Sequence, residues 1–369
     1  TVRVRSSQER DDAVRRGAEI LRNGGIVAFP TETVYGVGAC VANPGAIARL
    51  RELKQRPKEK AFTVHVASRD DASELAPNMP KLARRFARKC WPGPLTIIAP
   101  VGDGASTALA ARLSADAATA VYYNGTVGLR CPDDATAEAL LRAVDAPVVA
   151  ASANRADGPA PRTARDVRRA LGNEIDLLID GGKTRYAKAS TIIRFGSDSY
   201  EVLREGVIDL AAIGRLAMLR ILFVCTGNTC RSPMAEGLAR RLLADRLGCR
   251  EDELADRGIA VESAGTAGGF GAASDQSVAV MGRRSIEISQ HSASALSPDR
   301  IREADYIFTM TASHRDIVCD MVPSARERVA LLLEDQDVRD PIGGDEAEYE
   351  ACVQAIEKGV RARLQEVSL

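Results

Sequence analysis

No apolar run in the 369 residues approaches the ~18 needed to span a bilayer. The start, TVRVRSSQERDD, has no apolar core of the kind a secretory signal carries. Neither a membrane span nor export is therefore expected. There is no CxxC pair and there are only three histidines, so a metal site of the zinc type is not expected either. The eight cysteines (40, 90, 131, 225, 230, 249, 319, 352) form no repeating framework. That pattern points to a reducing cytoplasm, where thiols are packed, catalytic or redox-sensing. Internal repeats and low-complexity tracts are missing as well.

What is present describes an ordinary soluble globular protein, 45% hydrophobic and 27% charged, with a length that favours two domains. The net charge of zero hides an asymmetry. Residues 1–217 hold 32 Lys and Arg against 25 Asp and Glu, whereas residues 218–369 hold 18 against 25. Opposite balances of +7 and −7 suggest two units with different partners, the basic one suited to anionic ligands. The first unit reads as mixed α/β over 1–206. Residues 8–23 carry helical periodicity stopped at Asn23-Gly24-Gly25, and short strands are expected at GIVAFPT, AFTVHVA, LTIIAPV, TVGLRC, APVVAAS and STIIRF. Residues 207–217 carry no strong pattern and read as a linker. From 218 onward strands alternate with helices, which predicts a doubly wound parallel sheet.

Within that second unit, the apolar strand LRILFVC runs directly into Thr226-Gly227-Asn228-Thr229-Cys230-Arg231-Ser232 and a helix. A strand, a glycine-containing turn and a helix start aim backbone N–H groups at an anion. Arg231, six residues after Cys225, can return to grip two phosphate oxygens, and such surroundings favour a thiolate. Ser232 can donate to that thiolate, and Asn228 can pin the turn. An acid for the leaving group is available in DVRDPIGG, at Asp340. A buried cysteine in an ordinary turn is the plainer alternative.

These motifs, with SAG at 263–265 and ADYIFTM, make residues 219–369 resemble the low-molecular-weight protein tyrosine phosphatases. The resemblance implies Cys225 as nucleophile of a phosphocysteine intermediate, Arg231 as phosphate clamp, Ser232 as thiolate partner and Asp340 as acid, then base, with no cofactor. It implies Thr226 to Cys230 as phosphate loop. Thr229 stands where tyrosine-specific members carry an aliphatic residue, and Ile342-Gly343-Gly344 stand where aromatic residues follow Asp-Pro. These forms resemble the protein-arginine phosphatase branch, which favours a phosphoarginine substrate; phosphotyrosine is the alternative. Phe270 could still supply an aromatic wall or pack in the core. Cys230 could pair with Cys225 under oxidation or simply fill space.

The first unit concentrates polar groups at strand ends: PTETVYG, LKQRPKEK, CWPGPLT, ASANRADG, AKASTII and VLREG. Lys54-x-Arg56, Ser152-x-Asn154 and PTETVYG make residues 10–206 similar to the YrdC-type L-threonylcarbamoyl-AMP synthases. That resemblance implies a twisted mixed-sheet α/β fold and a reaction of ATP, bicarbonate and L-threonine. The products would be threonylcarbamoyl-adenylate and pyrophosphate, for tRNA t6A37 synthesis in the cytoplasm, with Mg2+ accompanying the triphosphate. It implies Thr33, His65, Arg130 and Ser190 around threonine. Around ATP it implies Arg56, Lys60, Thr126, Ser152 and Arg204, with Lys54 and Asn154 nearby. Transfer RNA and t6A-transferase proteins are the implied partners there, and a phosphoprotein is implied for the second unit. On residue grounds alone, His65 within FTVHV could equally be a satisfied core histidine. Two departures stand out: Ala187 where the family usually has glycine, and Arg194 where an aspartate is common. A rival reading makes the first unit a nucleotide- or RNA-binding regulator without catalysis, and another makes the second a degenerate phospho-binding domain.

Overall fold

The computed structural model describes residues 1–57, 59–102, 110, 113–156, 158–269 and 271–367. The chain divides into two compact units, Thr1–Arg215 and Leu216–Leu369. The stretch expected as a linker holds a helix, Leu210–Ala217, which buries Ile213.

Among the described residues, the first unit forms one sheet of eleven strands. Its path runs through Val2–Arg3, Leu177–Asp180, Val27–Phe29, Gly36–Cys40, Val148–Ser152, Thr63–His65, Thr126–Arg130, Leu95–Pro100, Thr191–Phe195 and Tyr200–Arg204. Tyr122–Tyr123 pairs at the side. Parallel and antiparallel ladders mix, as the expected twisted α/β sheet requires. The helix Ser7–Arg22 starts at a Ser6/Glu9 capping box and buries Ala13, Val14, Gly17, Ala18 and Leu21 on one face. That stripe packs with Leu140, Leu141 and Val144 into one apolar cluster with the sheet.

Register decides what meets in the middle. His65 pairs with Arg130 on one side and Val148 on the other, Thr63 pairs with Gly128 and Ala150, and Gly36 pairs with Ser152. Side chains alternate faces with period two, so Thr63, His65 and Arg130 are presented together.

Among the described residues, the second unit carries four strands in the order Ile259–Gly265, Leu219–Cys225, Tyr306–Thr309, Val329–Leu331, all parallel. From Ile221 to Cys225 the second of these strands is apolar and buried, because helices cover both of its faces. Leu219, Ile221 and Phe223 join a cluster with the helices Arg231–Leu247 and Glu346–Glu366, while Leu222 and Val224 join another with Ile301 and Val318. This is the expected doubly wound sheet. No helix of the described residues is long and apolar enough to cross a membrane.

Candidate active sites

A cavity of about 330 Å³ opens over the first unit's sheet, lined by Arg56, His65, Arg130, Ser152, Asn154, Ser190 and Arg204, among others. These are seven of the residues singled out from sequence. Arg130 is 6% exposed. Its Nη2 donates to Thr33 Oγ1 at 2.5 Å, Thr31 Oγ1 at 3.3 Å and Glu32 Oε1 at 3.0 Å. Its Nε is buried without a hydrogen-bond partner. A buried guanidinium N–H left unpaired is costly, and an anionic ligand would satisfy it.

His65 lies beside it with Nδ1 3.3 Å from Thr63 O. Burial, reinforced by the Arg130 charge, pushes its pKa down to about 3. The imidazole is therefore neutral at pH 7 and offers the cavity a hydrogen-bonding nitrogen without a charge. Ser190 Oγ lies 2.9 Å from Thr96 Oγ1, and Arg204 donates through Nη2 and Nε to Ser190 O at 2.8 and 3.1 Å. Ser152 Oγ donates to Asn154 Oδ1 at 2.6 Å, and Asn154 Nδ2 donates to Gly158 O at 2.6 Å, so the turn is internally braced.

Four of the named residues stand apart from this lining: Thr33, fully buried behind Arg130 and bonded to it, and Lys54, Lys60 and Thr126. Lys54 Nζ is spent on the turn, donating to Ser152 O at 2.8 Å and to both Asn154 O and Asn154 Oδ1. Burial and the neighbouring Arg56 and Arg155 charges lower its pKa to about 8. Lys60 is exposed, and its backbone is what is engaged: the carbonyl accepts from Arg56 Nε at 3.1 Å and the N–H donates to Pro57 O at 3.1 Å. Thr126 donates to Tyr123 O at 2.8 Å. It stands four residues, ~13 Å, along the strand from Arg130.

The two departures differ in kind. Ala187 has φ +52°, a left-handed conformation in which glycine carries no steric penalty, which explains why glycine suits that position. Arg194 pairs with Glu201 at 3.2 Å on the exposed hairpin and does not line the cavity.

Sequence reading missed Glu32, Thr31 and Thr96. Glu32 is 2% exposed and its Oε2 also accepts from Asp133 N at 3.1 Å. A carboxylate is almost never fully buried without a partner. The one carboxylate in PTETVYG, directly after the apolar run GIVAF, was the signal available.

In the second unit, Cys225 ends its strand at 2% exposure. Its Sγ lies 3.0 Å from Ser232 Oγ and accepts from Asn228 N at 3.2 Å. Asn228 adopts φ +57° and is tied on every side. Its Nδ2 donates to Ser232 Oγ at 2.9 Å and Ser263 Oγ at 2.7 Å, and its Oδ1 accepts from Ser294 N at 2.7 Å. His291 Nε2 lies 2.9 Å from Asn228 O.

Arg231 opens the helix Arg231–Leu247 and is 4% exposed. It donates to Val338 O at 3.2 Å and Thr226 Oγ1 at 3.3 Å, and forms an ion pair with Asp340. All four residues named as catalytic thus converge on one turn. Asp340 Oδ1 also accepts from Ile342 N at 3.3 Å, and Ile342 is 71% exposed. Thr229 is half-buried, with Oγ1 3.7 Å from Cys230 Sγ. Cys230 packs against Ser274 Oγ at 3.3 Å and Tyr349 Oη at 3.5 Å, and both Cys225 and Cys230 are free thiols. Phe270 lies outside the described residues.

Residues 19–206 match the Sua5/YciO/YrdC family model, described as "Telomere recombination". Residues 220–368 match the model of the low molecular weight phosphotyrosine protein phosphatases. The chain is 32% identical over 229 residues to the threonylcarbamoyl-AMP synthase of Pyrococcus abyssi, covering 62% of this chain and 64% of that one. It is 35% identical over 198 residues to the enzyme of that name from Bacillus subtilis, covering 54% of each. The chain thus spans about half to two-thirds of the length of these relatives. The solved structure of P. abyssi Sua5 complexed with L-threonine matches at a TM-score of 0.51 and 21% identity, over 98% of this chain and 97% of that one. At that identity the likeness is one of fold.

Proposed function

We propose, for a chain that belongs to the Sua5/YciO/YrdC family and continues into a low-molecular-weight phosphatase domain, a bifunctional enzyme. The first unit joins ATP, bicarbonate and L-threonine into L-threonylcarbamoyl-AMP and pyrophosphate. The observation that carries this reading is Arg130. It is a buried cation with an unpartnered Nε, flanked by a neutral histidine and by threonine and serine hydroxyls in a cavity that Arg56 and Arg204 also line. The threonine carboxylate suits Arg130, with Thr33, His65 and Ser190 beside it. Arg56, Arg204 and Ser152 are the donors for the triphosphate, and Lys54 and Asn154 hold the turn that carries Ser152. Carbamate formed from the threonine amine attacks the α-phosphorus, and pyrophosphate leaves. The protein's work is to position the reactants and neutralise charge. No cluster of three or more His, Cys, Asp or Glu suited to a metal ion occurs among the described residues. Mg2+ would accompany the triphosphate, whose charge it offsets. The product serves tRNA t6A37 synthesis in the cytoplasm, so tRNA and t6A-transferase proteins lie downstream. The test is pyrophosphate release by the pure chain. It should require threonine and bicarbonate together, and its absence leaves the rival, a non-catalytic nucleotide-binding regulator.

The second unit hydrolyses a phosphoprotein. Cys225 attacks phosphorus, Arg231 and the loop from Thr226 to Cys230 hold the equatorial oxygens, and Ser232 stabilises the thiolate. Asp340 protonates the leaving group and then activates water on the phosphocysteine. The convergence of Cys225, Ser232, Arg231 and Asp340 on one turn carries this reading. Phosphoarginine is the favoured substrate, because Thr229 offers a hydroxyl and Ile342-Gly343-Gly344 give an aromatic ring little to stack on. A Thr229→Ile variant assayed on phosphoarginine and phosphotyrosine peptides should shift toward phosphotyrosine. An unchanged ratio refutes the specificity argument.

A further inference from the structure

One histidine of the second unit has no place in the mechanism above. His314 lies on the helix Ala312–Met321 and is 4% exposed. Both of its ring nitrogens are engaged. Nδ1 lies 2.8 Å from Thr311 Oγ1, the residue that caps this helix, and Nε2 lies 2.9 Å from Thr226 Oγ1. Thr226 follows the nucleophile directly, 88 residues from His314 in sequence. Its hydroxyl also accepts from Arg231 Nη2 at 3.3 Å.

A guanidinium can only donate, so one lone pair of Thr226 Oγ1 is committed to Arg231. The hydroxyl's rotamer is then set by its other partner, and that partner is the ring of His314. The ring is itself fixed from the helix end by Thr311 Oγ1, 2.8 Å from Nδ1, a hydroxyl that also accepts from the backbone N–H of His314 at 3.3 Å. The charges that act on it are Arg231 from the helix after the phosphate loop and Asp337 and Asp340 from the acid loop. Burial and Arg231 dominate and lower its pKa, so the ring is held neutral and does not repel the clamp.

Resting on the reading of this turn as a phosphate cradle, we propose that His314 is a positioning residue. Through Thr226 it fixes the Arg231 guanidinium in the orientation that receives the phosphoryl group. Val338 O holds the opposite edge of that guanidinium through Nη1 at 3.2 Å. Arg231 is thereby held from two loops while its bond to Asp340 is exchanged for substrate. Losing one brace leaves the charge in place and costs orientation, which is felt on the phosphate itself.

The experiment reads inorganic phosphate affinity in the full chain, as protection of Cys225 from iodoacetamide followed by peptide mass. Turnover of p-nitrophenyl phosphate is measured alongside. His314→Phe and Thr226→Val are each expected to weaken phosphate about tenfold, and the double variant no further, because both break one relay. Thr226→Ser, which keeps the hydroxyl, and His314→Gln, which keeps a hydrogen-bonding atom toward Thr226, should stay within about threefold of the parent. Thr226 is exposed, so its variants decide the matter if His314→Phe fails to fold. Loss in Thr226→Val restored in Thr226→Ser supports the relay. Phosphate affinity unchanged in Thr226→Val, or losses that multiply to about a hundredfold in the double variant, overturns it. A parent chain that binds phosphate without turnover refutes the phosphatase reading and leaves this inference standing. A parent chain that phosphate does not protect refutes both.

Discussion

Glu32 is the residue whose removal most sharply tests the electrostatics of the first unit. Its carboxylate is 2% exposed and faces Arg130, 6% exposed, at 3.0 Å. Its other oxygen accepts from Asp133 N. Replacing it with Gln keeps the shape and deletes the charge. The guanidinium then stays buried with only neutral acceptors, the Thr31 and Thr33 hydroxyls and the amide oxygen of the new side chain. Breaking one side of a buried ion pair costs about 3–5 kcal/mol, most of it the stranded charge. For a unit of this size that lowers Tm by roughly 10 °C. The readout is built in: the chain's single tryptophan, Trp91, lies in this unit at 4% exposure, with Nε1 donating to Leu95 O at 2.8 Å. Its emission during urea unfolding therefore follows this unit. The same variant should raise the KM for L-threonine, because Arg130 loses its anchor. A stability loss below about 1 kcal/mol refutes the reasoning, since the pair would then be water-exposed in practice.

Three other outcomes follow from the same geometry. His65, with a folded pKa near 3 against 6.5 in the unfolded chain, takes up a proton more readily when unfolded. Its contribution is complete above pH 6.5 and falls by about 1.4 kcal/mol per pH unit as pH descends toward 3. Trp91-monitored urea midpoints at pH 7.5 and 5.5 should show that loss, and a His65→Leu variant should lack it. Cys225→Ser should abolish phosphatase turnover and leave pyrophosphate release intact, as parallel assays on one preparation would show. Ala187→Gly relieves a left-handed alanine at some entropic cost, for a net gain of about 0.5 kcal/mol. A loss of more than about 1 kcal/mol by the same unfolding assay would contradict the strain assigned there.

The second unit's site was legible because its parts are close in sequence. Cys225, Arg231 and Ser232 occupy one turn after a strand whose last five residues are apolar, and only Asp340 comes from afar. The first unit's site is assembled by register instead. His65 meets Arg130 because their strands are parallel neighbours, and Ser190 meets Thr96 across 94 residues. Residue types alone could nominate these groups but could not order them along a strand. That is why Thr126, four residues from Arg130, stands outside the lining, and why Lys54 braces a turn. Glu32 and His314 escaped for one reason: a buried polar residue reveals its purpose only through its partner. The helix Leu210–Ala217 escaped because a single buried residue, Ile213, gives no periodicity to read.

The central claim is that the cavity over the first unit's sheet makes threonylcarbamoyl-AMP. The most direct measurement supplies the pure full chain with ATP, L-threonine and labelled bicarbonate and follows label into an adenylate. The account predicts labelled adenylate and pyrophosphate in equal amounts, both lost when threonine is omitted. Nucleotide binding without label transfer, or pyrophosphate release that ignores threonine, contradicts it.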